Sequence, residues 1–183
     1  VVFLCLGFLD PETPAGWQTP YIWTAFALMP LAFVFDALDG AVARWRRKQS
    51  PLGADLDSLA DIVSFGVAPA ALGFTLGMRG GWDAVILVYF VCCGISRLAR
   101  FNVTAEALAD EATGKVKYFE GTPIPTSLLL VAVLAVAFGQ GATGPALWGG
   151  EYRLGPFLLH PLTLMFALSG SAMISATLRI PKP

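Results

Sequence analysis

The sequence predicts an all-α integral membrane protein: a bundle of six membrane-crossing helices, the first represented only by its end. Three observations lead there. Of the 183 residues, 56% are hydrophobic and only 14% charged, with a mean hydropathy of +0.66, whereas about a quarter of the residues in a soluble domain are charged. The apolar residues gather into five stretches close to the roughly 20 residues that a helix needs to cross the bilayer core. Lys and Arg, finally, cluster in alternate connections between those stretches.

Taken in order, the opening run Val1–Leu9 is too short to cross a bilayer and lacks the charged start of a signal peptide. It is expected to be the tail of a first span. Full spans follow at Thr19–Arg44, Gly53–Gly77, Trp82–Arg100, Thr122–Gln140 and Phe157–Leu178, within a single transmembrane domain covering residues 1–183. Pro30 and Pro69 remove backbone donors and should kink their helices. Gly73 and Gly77 form a small-residue pair suited to close packing inside the chain. Cys5, Cys92 and Cys93 lie in apolar runs without the spacing of a disulfide or zinc framework, so they are expected to be packing residues.

Ten of the twelve basic residues lie in alternate connections: Arg44, Arg46, Arg47 and Lys48; Arg97, Arg100, Lys115 and Lys117; Arg179 and Lys182. The opposite connections hold only Arg79 and Arg153. By the positive-inside rule the basic connections and the C-terminus face the cytoplasm. The net charge of -1 offers no basic surplus for nucleic acid, and none is expected as a partner.

The chemistry concentrates where the first two full spans approach each other. Asp36 and Asp39 lie three apart near the end of one, and Asp57 and Asp61 four apart near the start of the next. Residues at those spacings share a helix face, and the short turn Trp45–Leu52 makes the two helices antiparallel. Asp55 points nearly opposite to Asp57 and is expected to be a solvated surface charge. A carboxylate deep in a membrane costs about 2.5–3.5 kcal/mol, and four that converge also repel one another. Arg44 alone is too little counter-charge. Two hard divalent cations, Mg²⁺ or Mn²⁺, bridged by carboxylate oxygens would resolve the conflict.

Alternatives from other classes fit less well. The only histidine, His160, falls at the far membrane face and is expected to be an interfacial polar residue, which leaves no Ser-His-Asp or Cys-His set. A P-loop is also absent. A divalent-cation transporter would place its carboxylates near mid-bilayer with access from both sides. A metal-dependent lipid diphosphate hydrolase, with water as acceptor, is a further alternative.

The run from Asp36 to Asp61 resembles the signature of the CDP-alcohol phosphotransferases at all eight fixed positions: Asp36, Asp39, Gly40, Ala43, Arg44, Gly53, Asp57 and Asp61. Residue frequencies put a chance match on the order of 10⁻¹⁰ per start site. The resemblance implies a six-helix homodimer that binds a CDP-linked donor over two divalent metals at the cytoplasmic side. It implies that Asp36, Asp39, Asp57 and Asp61 ligate the metals and that Asp61 is also the catalytic base. Asp39, Gly40, Ala43, Arg44 and Gly53 would hold or make room for the nucleotide.

Three softer stretches are similar to the phosphatidylserine synthase branch of that family: Asp61–Pro69, Ser96–Asn102 and Phe119–Ser127; the ending Arg179–Pro183 is too. They imply CDP-diacylglycerol and L-serine as substrates, phosphatidylserine and CMP as products, and a place in the cell inner membrane or its equivalent. Within the family, glycerol 3-phosphate or an inositol phosphate is the alternative acceptor. Arg97 and Arg100, three apart at a cytoplasmic helix end, can grip phosphate or carboxylate. With Asn102 nearby, they are expected to bind the lipid phosphate and the serine carboxylate.

Overall fold

The computed structural model describes residues 15–46, 51–110, 118–175 and 179–181. The chain is helical for most of that length. Helix α1 (Ala15–Arg46) is followed by α2 (Pro51–Asp61), which runs through a π-helical stretch, Ile62–Val67, into α3 (Ala68–Leu76). Helix α4 (Gly81–Asp110), α5 (Ser127–Gly139) and α6 (Leu164–Ile174) complete the bundle. Three rods are long and apolar enough to cross a membrane: Pro20–Val42, Asp55–Leu76 and Gly81–Val103, of 23, 22 and 23 residues. The apolar helices Ile124–Gly139 and Pro161–Ile174 are shorter than the spans expected there. The expected first-span remnant, Val1–Leu9, lies outside the described residues.

The wide turn between α2 and α3 follows from Pro69. Its ring supplies no N–H and collides with the carbonyl four residues back, at Phe65. Widening to the i to i−5 register relieves that conflict: the Ala68 N–H donates to the Val63 carbonyl. The kink expected from Pro69 is thus taken up by a π-helical turn directly after Asp61.

The core lies between helices, and bulky apolar side chains such as Leu129, Leu168 and Val88 are left on the outside, as suits a protein solvated by lipid. Phe90 of α4 and Phe166 of α6 meet edge to face at 5.2 Å, both fully buried. Gly170 lets those helices close, since a Cβ there would stand 3.3 Å from the Phe90 Cα. Trp23 and Phe26 of α1 pack on Phe138 of α5 at 5.5 and 6.0 Å, and Phe33 meets Phe65 of the π stretch at 6.1 Å. Gly73 packs inside the chain as well, beside Met78 and Phe166.

Two short antiparallel pairs cap the bundle. Strand β1 (Tyr118–Glu120) pairs with β4 (Arg179–Pro181), and β2 (Tyr152–Leu154) with β3 (Phe157–Leu159). The second pair revises the last expected span. The apolar run Phe157–Leu159 is a strand, Gly155 (φ +65) makes the turn before it, and helical structure starts only at Pro161. The hairpin is fixed to the start of α4: the Trp82 Nε1–H donates to the Leu154 carbonyl at 3.0 Å, and the Trp82 ring meets Phe157 edge to face. Any side chain at Gly80 would strike the Leu158 carbonyl.

Candidate active site at the junction of two helices

Asp36 and Asp39 lie on α1, Asp57 and Asp61 on α2, and all four line one open groove of about 590 Å³. Its apolar wall comes from Ala32, Phe35, Leu38 and Val42 of α1 and from Ala60 and Phe65 across it, with Ser64 contributing a hydroxyl. Asp36 and Asp61 are half-buried, while Asp39 and Asp57 are exposed. Asp55 is exposed and does not line the groove.

The four charges feel one another. Asp36 and Asp57 repel Asp61, and Asp57 and Asp39 repel Asp36. Among the described residues the attractive partner is Arg97 of α4, half-buried and acting on Asp61. Among the described residues none of the four carboxylates has a hydrogen-bond or ion-pair partner. No three of them, as they stand, form a closed metal-binding group among the described residues. They occupy facing walls of the groove.

The other expected site residues divide. Arg97 faces the groove's charge, and its Nε is buried without a hydrogen bond among the described residues. Arg100 turns away, its Nη1 donating to the Ile174 carbonyl at 3.4 Å. The Asn102 amide donates to the Ser58 hydroxyl at 3.1 Å, tying α4 to α2 one residue from Asp57. Gly40 and Gly53 are absent from the groove lining, and the side chains of Ala43 and Arg44 lie outside the described residues. Ser58 and Ser64 were not foreseen, because isolated serines at these positions carry no pattern.

A second polar centre also escaped the sequence. Asp83, in the first turn of α4, is fully buried and accepts four hydrogen bonds: from the Gly80 N–H (3.0 Å), the His160 N–H (2.9 Å), the Thr163 hydroxyl (2.9 Å) and the His160 Nδ1–H (2.6 Å). His160 is packed inside the protein at that end, 2% exposed and locked to α4. A buried carboxylate is stable only when its acceptor capacity is filled, and this cluster fills it.

Comparison with known proteins bears on the groove. The family profile for CDP-alcohol phosphatidyltransferase matches residues 1–173. The chain is 48% identical over 165 residues to CDP-diacylglycerol–serine O-phosphatidyltransferase of Saccharomyces cerevisiae, covering 89% of this chain and 60% of that protein. It is 41% identical over 107 residues to the protein of the same name from Methanocaldococcus jannaschii (58% and 48% covered). With archaetidylserine synthase of Methanothermobacter thermautotrophicus it shares 40% over 111 residues (59% and 44% covered). The chain thus spans 60% or less of the length of these relatives.

The family is generally dependent on divalent cations. The donor set in the groove fits: four carboxylates are hard oxygen ligands of the kind Mg²⁺ and Mn²⁺ take, and the described residues give them only Arg97 as compensating charge. The profile runs from the first residue through nearly all of α6, and so covers both walls of the groove. On that match the chain belongs to the CDP-alcohol phosphatidyltransferase family, whose members are all-α integral membrane proteins.

Proposed function

We propose that the chain transfers the phosphatidyl group of CDP-diacylglycerol to L-serine, giving phosphatidylserine and CMP. What carries this is the coincidence of the four-aspartate groove with relatives from yeast and archaea whose names specify serine transfer. The archaetidylserine synthase likeness supports serine as the shared element of those names.

The serine hydroxyl oxygen forms a bond to the phosphorus of the phosphatidyl group as the bond from that phosphorus to the CMP oxygen breaks. Asp61 takes the hydroxyl proton: it sits half-buried at the inner edge of the groove, where a carboxylate can meet an acceptor entering beside Arg97. Asp36, Asp39, Asp57 and Asp61 would hold two divalent cations, Mg²⁺ or Mn²⁺. When bound, these neutralise the diphosphate and stabilise charge on the leaving CMP. Arg97 binds phosphate or the serine carboxylate. Arg100 and Asn102, engaged with Ile174 and Ser58, frame the wall from which Arg97 projects. Asp39, Gly40, Ala43, Arg44 and Gly53 receive the cytidine end.

In this proposal the groove and the C-terminus face the cytoplasm from the inner or an equivalent membrane, and the chain works as a homodimer. The test is CMP release from CDP-diacylglycerol by the membrane-inserted chain, with Mg²⁺ or Mn²⁺, offered L-serine, glycerol 3-phosphate, inositol phosphate or no acceptor. Release that requires serine is expected. Release driven equally by water or by a phosphorylated alcohol would refute the serine assignment.

A further inference from the structure

The Asp83–His160 centre lies at the other end of the bundle from the aspartate groove. From Asp61 to Thr75 the rod advances about 20 Å at 1.5 Å per residue. There Thr75, Gly77, Gly80, Thr143, Glu151 and His160 help to line a separate pocket of about 400 Å³.

An ionised carboxylate only accepts hydrogen bonds, so the 2.6 Å contact from Asp83 Oδ2 puts a proton on His160 Nδ1. That leaves Nε2 as the free end of the ring. Among the described residues it has no hydrogen-bond partner; it is buried, in a ring that lines the pocket. Glu151 Oε1 stands 3.5 Å from it, too far for a good hydrogen bond, and in a neutral ring with its proton on Nδ1 neither of the two atoms is a donor. Two ligands of a tetrahedral zinc-type ion, with bonds of about 2.0–2.2 Å, stand about 3.4 Å apart. A metal-binding histidine typically gives its other N–H to a carboxylate, which fixes the ring and strengthens the donor nitrogen; Asp83 does this here.

We propose that His160 Nε2 and Glu151 form a binding site for a divalent transition-metal ion of the zinc type, with Asp83 as the outer carboxylate and water completing the shell. Imidazole selects such ions over Mg²⁺ and Ca²⁺, so this site is chemically distinct from the all-oxygen groove. Glu151 directly precedes β2 and His160 directly follows β3. The ion therefore ties both ends of the hairpin to each other and, through Asp83, to α4. It acts on stability, and the reaction does not pass through it.

The test uses the full chain in detergent micelles with Co²⁺ as the probe. Four-coordinate Co²⁺ with a nitrogen ligand absorbs visible light far more strongly than octahedral, all-oxygen Co²⁺. Wild type should show the intense band and lose it to added Zn²⁺, which should also raise the thermal midpoint. Asp57→Asn should keep the band. Glu151→Gln, a change at an exposed residue, should weaken Co²⁺ binding at least tenfold and abolish the Zn²⁺ shift. The proposal is overturned if wild type gives no intense band, the outcome for an imidazolium merely paired with two carboxylates. It is also overturned if Glu151→Gln matches wild type, or if Asp57→Asn removes the band.

Discussion

Removing the Asp83 carboxylate should unfasten the far end of the bundle. In Asp83→Ala four donors lose their acceptor at once: the Gly80 and His160 N–H groups, the Thr163 hydroxyl and the His160 Nδ1–H. Thr163 is fully buried and His160 nearly so, at 0% and 2% exposure, so bulk water does not reach them. A stranded buried donor costs about 1–3 kcal/mol, which for four independent groups would sum to about 4–12 kcal/mol. They share one acceptor, and the cavity left by the carboxylate can admit water, so the sum is not additive. Breaking a buried charged network by deleting one partner costs about 3–5 kcal/mol, and that is the expected loss. Equilibrium unfolding of the full chain in mixed micelles would measure it, with Trp82 fluorescence reporting release of the hairpin. Asp83→Asn keeps one acceptor oxygen and should recover part of the loss; Thr163→Val removes one hydrogen bond and should cost about 1 kcal/mol. If Asp83→Ala unfolded within about 1 kcal/mol of wild type, the four hydrogen bonds would not be stabilising as described.

Three further outcomes are expected. Asp61→Asn should lower CMP release by about 10²–10⁴-fold, the usual worth of a positioned base, while Asp55→Asn, outside the groove, should stay within about twofold of wild type; metal occupancy measured on the same samples separates a lost base from a lost ligand. Gly80→Ala should cost at least about 1–3 kcal/mol, read in the same unfolding measurement, because its Cβ would strike the Leu158 carbonyl, backbone that cannot turn aside. Asn102→Ala should cost about 0.5–1.5 kcal/mol in unfolding measurements through loss of the bond to Ser58.

What could be read from the sequence follows from the range over which each pattern acts. The pairs Asp36/Asp39 and Asp57/Asp61 are local, and their meeting needs only two helices and a short connection, so one groove holding all four was legible. Pro69 announced a break in its helix but not its form, because a kink and a π-helical turn both answer the missing N–H and the carbonyl clash. The strand Phe157–Leu159 reads in sequence as the start of a helix because a short apolar run looks alike in either structure; Gly155-Pro156 and Pro161 are the signals that set the helix boundary later. Arg97 and Arg100 share a helix face by spacing, yet one turns to Asp61 and the other to the end of α6, a choice made by neighbours far away in sequence. Asp83 and His160 stand 77 residues apart, and no local pattern links them.

The decisive measurement is an anomalous-scattering map from crystals of the full chain grown with saturating Mn²⁺. Two peaks about 3.5–4 Å apart, between the carboxylates of Asp36 and Asp39 on one side and Asp57 and Asp61 on the other, are predicted. A groove without anomalous density, or Mn²⁺ bound only elsewhere, would contradict the assignment of these aspartates as the centre of phosphatidyl transfer.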